Sequence, residues 1–471
     1  MLLVKYFFGL CLIIMMVAGT VSAEQNNKRA DLITVYQQAI VNDAKLSAAR
    51  HEFRALREAV PQARAGLLPT LSIGGSLESV RLAMEEPDFS RARSQSVFQA
   101  DIIQPLFRLD RWFQLDAAQA STVRAELELR AKEQGMILSA AQAYLDTLRA
   151  LDSLAASRAE EAALKRQREQ AQGRFAHGAS SITDVLDAQA AYDTANANRK
   201  LAERKVDDAF EALVRLTSHE YSSIEGIDHH LPVQAPTPNN AKFWVGKALQ
   251  QNLSLLASNF AVVAAEHTKQ QQKAGFAPTL DMVASYRKGD NDSFGYSNPV
   301  GGGATEYRGD VSRHSIGLQL NIPLYSGGMT RSQVRESTER LAQSEDQRDD
   351  RRREVVQNTR NFHRAINSDV EQVAARRKSI LSSQSSLMAT VRGRELGSRS
   401  LMDVLNAERQ LYAAVREYNN ARYDYVFNTL SLKQVAGVLN AADLTSLTMF
   451  MNKGYDPDRD FLPPPASGFE C

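Results

Sequence analysis

Between residues 313 and 325 the chain alternates strictly. Ile316, Leu318, Leu320, Ile322 and Leu324 fall on one face of an extended segment, and Gly317, Gln319 and Asn321 on the other. This period of two predicts a β-strand. A segment at about 95–107 repeats the pattern, with Phe98, Ala100 and Ile102 opposite Gln99 and Asp101. Two more strands are predicted at about 69–83 and 278–289, where Leu71, Ile73 and Leu77 oppose Ser72, Ser76 and Glu78, and Leu280, Met282 and Tyr286 oppose Asp281, Ser285 and Arg287. Pro69, Pro105, Pro278 and Pro323 bound the four segments. One apolar and one polar face suits an outer-membrane barrel strand, apolar side to lipid. It suits equally a soluble sheet lying on a helical core, and alternation alone leaves both open.

Elsewhere the period changes. From about Trp112 to Phe175 there is no proline, and Ala, Leu, Glu, Gln and Arg abound, so a single helix of about 95 Å is predicted at 1.5 Å per residue. Further helices are predicted at about 182–216, 329–394 and 400–437. Rods of this length survive only by packing along one another, as in a coiled coil. The expected seam in the first is largely alanine, at Ala117, Ala120, Ala125, Ala131, Ala140, Ala141 and Ala143, which permits close approach. The charge-dense run at 346–357 reads as a solvated helix face.

These elements occur twice. AGLLPTLSIGGSLESV at 65–80 matches AGFAPTLDMVASYRKG at 274–289, and QADIIQPLF at 99–107 matches LQLNIPLY at 318–325, with Pro105 on Pro323. Asp184-Val185-Leu186 returns as Asp403-Val404-Leu405, each aspartate six residues after a glycine, Gly178 and Gly397. Matched landmarks in one order indicate a tandem duplication. The first repeat is placed at 24–216 and the second at 241–447, with a Pro-, Gly- and Asn-containing linker at 217–240. The Pro-rich tail at 448–471 is expected to be disordered.

Composition narrows the class. Lys5, the apolar run from Tyr6 to Val17 and Val21-Ser22-Ala23 read as a cleavable signal peptide over residues 1–23. The mature chain then holds one cysteine, Cys471, too few for an internal disulfide. A net charge of +1 gives no electrostatic case for nucleic acid. After the signal no run is long and apolar enough for a transmembrane helix, so a place in a membrane requires a barrel. Four strands cannot close one, and closure has to be shared between chains. Two chains give eight strands and a plugged interior, and three give twelve and room for a lumen. The long polar loop at 289–313 suits the extracellular side. Hydrolase, zincin and phosphate-loop motifs are missing, which argues against an enzyme. His229-His230 has no partner at metal-ligand spacing, so no metal site is read. Asp184 and Asp403 open helices, where an acid is favoured as a cap or by the helix dipole; a functional role stands beside that reading.

The duplicated strand pairs, the long helices and the Gly-x5-Asp-Val-Leu helix starts, spread from about Ala30 to Leu447, resemble the TolC family of outer-membrane channel-tunnels. The resemblance implies a mainly α fold with a β-barrel portion: a homotrimer with a shared twelve-stranded barrel in outer-membrane lipid and an α-helical tunnel in the periplasm of a Gram-negative cell. It implies docking to an inner-membrane ABC or proton-driven transporter through a periplasmic adaptor (membrane fusion) protein, with no cofactor of its own. The repeated helix starts become the tunnel tip. Asp403 matches an acidic constriction position, while Asn406 departs from the family's second aspartate; Asp184 and Asp187 share the corresponding face in the first repeat. Three copies of Asp403 brought together are expected to raise one another's pKa. Thr183, Asp184 and Arg399 match a lock between hairpins, and Arg394 stands where an aromatic is usual, with Asp184 as its expected partner. The absence of a lipoprotein cysteine leans to type I protein secretion; small-molecule efflux is the alternative. A periplasmic scaffold or adaptor fits the helices but not the two-faced strands.

Overall fold

The computed structural model describes residues 29–85, 89–290 and 310–463. The signal segment, most of the 289–313 loop and Cys471 lie outside them.

The first repeat comprises helices α1 (Leu32–Asn42), α2 (Ala44–Arg57) and α3 (Ala59–Ala65), strands β1 (Thr70–Met84) and β2 (Phe89–Phe107), then helices α4 (Leu109–Ala176) and α5 (Ile182–Thr217). A short strand β3 (Gly226–Ile227) lies in the linker. The second repeat follows the same plan, with α6 (Ala241–Gln251), α7 (Leu253–Lys273), β4 (Thr279–Asp290), β5 (Asp310–Asn321), α8 (Met329–Glu395) and α9 (Leu401–Val435). The chain ends with α10 (Ala441–Thr448), β6 (Met451–Asn452) and α11 (Pro457–Asp460). The duplication reaches further upstream than the sequence landmarks. Asp43 ends α1 and caps α2 by accepting from the Leu46 N–H at 2.6 Å. Asn252 ends α6 and caps α7 by accepting from the Leu255 N–H at 2.9 Å. Both residues leave the helical region at ψ 118°, so one polar side chain redirects the chain in each repeat.

The four long strands form one antiparallel sheet in the order β1-β2-β4-β5. Its register aligns residues of like character across all four strands. Leu71, Ile102, Ala284 and Ile316 make one row. The next row, on the opposite face, is Ser72, Asp101, Ser285 and Ser315. The apolar face is not covered by helices: Leu77 is 87% exposed and Ile316 81%. That exposure rules out a sheet resting on a helical core. On the polar face Arg287 donates to Gln99 at 3.0 Å and Ser285 meets Ser315 at 2.7 Å. The outer strands β1 and β5 each keep one unpaired backbone edge among the described residues. Pro69, Pro278 and Pro323 lie just outside strands. Pro105 lies inside β2, opposite Asp281 and beside a register shift between Pro105 and Phe107, the kind of irregularity at which a strand accepts proline.

The helices pack side by side. Toward the sheet the order is α2 and α3, α4, α7, α8; away from it the order is α5, α4, α9, α8. At 68 residues, α4 is about 102 Å long. Alanines at heptad-like spacing line the seam of α5, at Ala188, Ala191, Ala195 and Ala202, and all four are buried. On α4, Ala120, Ala125, Ala140 and Ala141 are buried, whereas Ala117, Ala131 and Ala143 are only partly so. Between the two halves sits a large buried core, where Tyr144, Leu145 and Leu148 pack with Leu213, Tyr423 and Leu430.

The tail departs from the expectation of disorder over 451–463. There β6 pairs with β3, and Tyr455 and Phe461 are each only 5% exposed. Two aromatic anchors outweigh the chain entropy that the prolines suggested, each burying well over 100 Å². The equatorial core has its own test. The Tyr144 hydroxyl lies 2.6 Å from the Glu225 carbonyl and 3.1 Å from that of Ala30. Tyr144→Phe keeps the ring and strands the Glu225 carbonyl, whereas the Ala30 carbonyl still accepts from the Glu225 N–H at 3.0 Å, so chemical unfolding should show a loss of about 1–2 kcal/mol.

Candidate functional site

At the end remote from the sheet, each long hairpin turns through a glycine in the left-handed region, Gly178 at φ 70° and Gly397 at φ 75°. The Ala179 N–H reaches back to the Arg174 carbonyl at 2.8 Å, and the Ser398 N–H to the Gly393 carbonyl at 2.8 Å. This closure satisfies carbonyls that the helix end leaves over, and it requires a residue without a Cβ penalty at positive φ. Three residues later a serine opens the next helix. Ser181 and Ser400 both sit in extended conformation and accept from the N–H of Asp184 (3.3 Å) and Asp403 (3.1 Å). Asp403 returns the bond, accepting from the Ser400 N–H and O–H at 2.9 Å each, which completes a capping box. Asp184 instead accepts from the Ser180 hydroxyl at 2.6 Å. The repeated Asp-Val-Leu is therefore first a repeated helix cap.

Within one chain the Ser400 donors hold the Asp403 carboxyl below its usual range, with Arg399 adding in the same direction. The expected rise in its pKa belongs to an assembly; the isolated tip sets the opposite bias. Asn406, Asp187 and Thr183 are exposed, and Asp184 is half-buried. Thr183 bonds the Ser181 hydroxyl.

The expected pairing of Arg394 with Asp184 is not formed. Arg394 donates to Gln167 Oε1 at 2.6 Å, and Asp184 only biases it through space. Burial, then the nearby Arg174 charge, push the Arg394 pKa down. Arg399 is not joined to Asp184 either. Its stem lies against Gly393, where an added Cβ would fall 2.8 Å from Arg399 Cγ, and its side chain makes no ion pair among the described residues. Gln167 passes the link on to Glu408 Oε1 at 3.4 Å. One amide thus joins α8, α4 and α9 about 14 Å above the end of α4, nine residues on. Nearby, Arg416 pairs with the buried Glu160 at 3.1 Å, again joining α9 to α4. Gln167, Glu408, Glu160 and Arg416 were not singled out from the sequence. Their one visible signal was a polar residue on a seam otherwise rich in alanine and leucine.

The sheet with an apolar outer face and unpaired edges, the two tandem hairpins and their paired tip turns are a channel-tunnel architecture. Residues 35–219 and 244–438 match the family model for outer membrane efflux proteins, one stretch on each repeat. The chain belongs to the outer membrane efflux protein family. It is similar to outer membrane protein TolC of Vibrio cholerae, with 33% identity covering 88% of this chain and 92% of that protein. It is also similar to alkaline protease secretion protein AprF of Pseudomonas aeruginosa, with 29% identity covering 91% of this chain and 89% of that protein. Among solved structures, the outer membrane protein VceC of Vibrio cholerae superposes with a TM-score of 0.74 at 17% identity, covering 86% of this chain and 96% of that one, which speaks to the fold alone. As an outer membrane efflux protein the chain is a channel component and not an enzyme, with its sheet in the outer membrane and its helices in the periplasm. His229 uses both ring nitrogens on protein groups, Nε2 on the Asp460 carbonyl at 2.8 Å and Nδ1 on Arg422 at 3.1 Å.

The polar link above the tip makes stability depend on pH. Burial raises the Glu408 pKa above its ordinary 4.5, and Glu408 Oε2 has no hydrogen-bond partner among the described residues. Between 4.5 and the raised value the folded chain holds a proton that the unfolded chain has released. Stability therefore falls as pH rises through that window. Glu408→Gln should raise stability at pH 7 by about 1 kcal/mol and flatten this part of the profile in thermal unfolding at pH 4.5 to 7.

Proposed function

We propose that three copies of this chain assemble into an outer-membrane exit duct. The observation that carries this is the sheet: its uncovered apolar face calls for lipid, and its two unpaired edges cannot persist there. Joining β5 of one copy to β1 of the next removes every edge. Eight strands would fill their own interior with side chains, and the polar face here asks for water. Twelve strands from three copies leave a lumen. The same closure sets α8 of one copy beside α5 of the next, because these are the outer helices of each repeat pair away from the sheet.

In this duct the six capped turns meet at the periplasmic end. Asp403 and Asn406, and Asp184 and Asp187, face the constriction. The capping bonds to Ser400 oppose the mutual repulsion of three Asp403 groups, so the ring stays charged at neutral pH and favours cations. Thr183 and Asp184 receive Arg399 across the boundary between copies, and Arg394 with Gln167 holds the hairpins within a copy. The duct docks with an inner-membrane transporter through a periplasmic adaptor protein. We read its cargo as protein, exported by a type I system with an ABC transporter, which the similarity to a protease secretion protein over 91% of this chain supports. The family's efflux description favours a second reading, small-molecule export with a proton-driven pump.

Planar-bilayer recording of the purified protein should give small, cation-selective openings. Asp403→Ala should weaken the selectivity and the block by multivalent cations; unchanged selectivity removes Asp403 from the constriction. Arg399→Ser should raise resting conductance about fivefold, as loss of a link of about 1 kcal/mol implies. A wild-type value discards the lock. Complementation of a strain without its own duct separates the cargoes: restored protease export supports the secretion reading, and restored drug resistance alone supports efflux.

A further inference from the structure

Neither the sheet nor the tip uses residues 451–463, yet this segment touches both repeats and the linker between them. On the linker, β6 pairs with β3, and the Tyr455 ring lies so close to Gly226 that a Cβ there would sit 2.3 Å from it. On the first repeat, the Tyr455 hydroxyl bonds the Asp152 carboxylate of α4, and Asp458 pairs with Arg158 at 3.1 Å. On the second repeat, Asn419 of α9 donates to the Phe461 carbonyl at 2.9 Å. Phe461 is buried in a cluster that includes Ala155 and Ala156 of α4, Val373 and Ile380 of α8, and Val415 and Tyr418 of α9. Asp152, 4% exposed, also accepts from the Tyr423 hydroxyl of α9 at 2.6 Å. One buried carboxylate thus joins a helix from each repeat to the C-terminal segment. Burial pushes its pKa up to about 6, against the pull of both phenol donors and Arg422.

Position gives this arrangement a consequence. Asp152 lies 24 residues before the end of α4, about 36 Å from the tip. From there to the turn the hairpins α4–α5 and α8–α9 touch each other through the seam, the Arg416–Glu160 pair and the Arg394–Gln167–Glu408 link. A segment fastened to both hairpins about a third of the way up α4 from the tip limits how far they can slide or splay below it. We propose that residues 451–463 act as an intramolecular clasp that holds the two hairpins of a chain together and biases the tip toward its closed arrangement. The gating part of this rests on the duct reading; the mechanical part does not.

The test compares the full-length protein with its Asp458→Ala/Phe461→Ala variant, by amide hydrogen exchange and by bilayer recording. Exchange over the tip turns, 176–184 and 395–403, and open-state occupancy should each rise about tenfold, equivalent to about 1.4 kcal/mol. Exchange in the sheet-proximal part of α4 should stay as in the wild type. A variant that exchanges and gates like the wild type overturns the clasp. If the wild type itself does not conduct, the duct reading fails, and exchange at the tip still decides the clasp. Tyr455→Phe keeps the ring on Gly226 and removes only the donor to Asp152. If the double variant does not assemble, this one should shift tip exchange in the same direction by about threefold; no shift overturns the proposal.

Discussion

A backbone edge cannot face lipid. Each unpaired N–H or C=O there costs several kcal/mol, and the only extended structure that avoids the cost is a closed barrel. This chain builds four strands, pairs them in one register, and leaves β1 and β5 each with an unpaired edge. The rows of leucine, isoleucine and alanine across the sheet need lipid, while the serine, aspartate and arginine rows behind them need water. Both demands are met only when further copies complete the circle. The rest of the molecule follows from this. In the proposed duct, a circle of repeated hairpins hands its helices down as a circle of repeated rods, and the tip is where those rods turn.

The rods solve a different problem. A helix of 68 residues has far more surface than it can leave unsupported. Alanine seams let neighbours approach closely, and a few polar links fix which helix meets which. Those links are worth little one at a time, about 1 kcal/mol each, but they sit at separate heights. Asp152 binds α4, α9 and the C-terminal segment about a third of the way up α4 from the tip, Glu160 with Arg416 lies lower, and Gln167 joins three helices just above the turn. Asp152, Glu160 and Glu408 are buried and each is hydrogen-bonded or paired to another helix, so a shift of register would leave a buried charge unpartnered.

Much of this was legible in the sequence, for identifiable reasons. Strand faces could be read because the sheet is two-faced, so that Leu318 and Gln319 could not exchange roles. Helix starts could be read because each repeat sets an aspartate six residues after a glycine, although the residues that cap are Ser181 and Ser400 rather than the aspartates. The ends of the long rods fall close to the glycines that close them. Links between distant residues could not be read. Arg394 finds Gln167, 227 positions away, and not Asp184, because the hairpin geometry decides which polar groups face each other. The breaks at Asp43 and Asn252 were hidden inside continuous helical patterns, since a cap changes direction without changing composition. The tail misled because its run of prolines was weighed above its aromatics, although Tyr455 and Phe461 decide its fate.

The central claim is that the sheet exists only as part of a shared barrel. The mass of the protein in detergent, measured by native mass spectrometry after extraction from outer membranes, tests this most directly. The account predicts a single species of three chains that persists when the protein is diluted. A monodisperse single chain with its strands intact would contradict it, because the edges of β1 and β5 would then be stable without a partner.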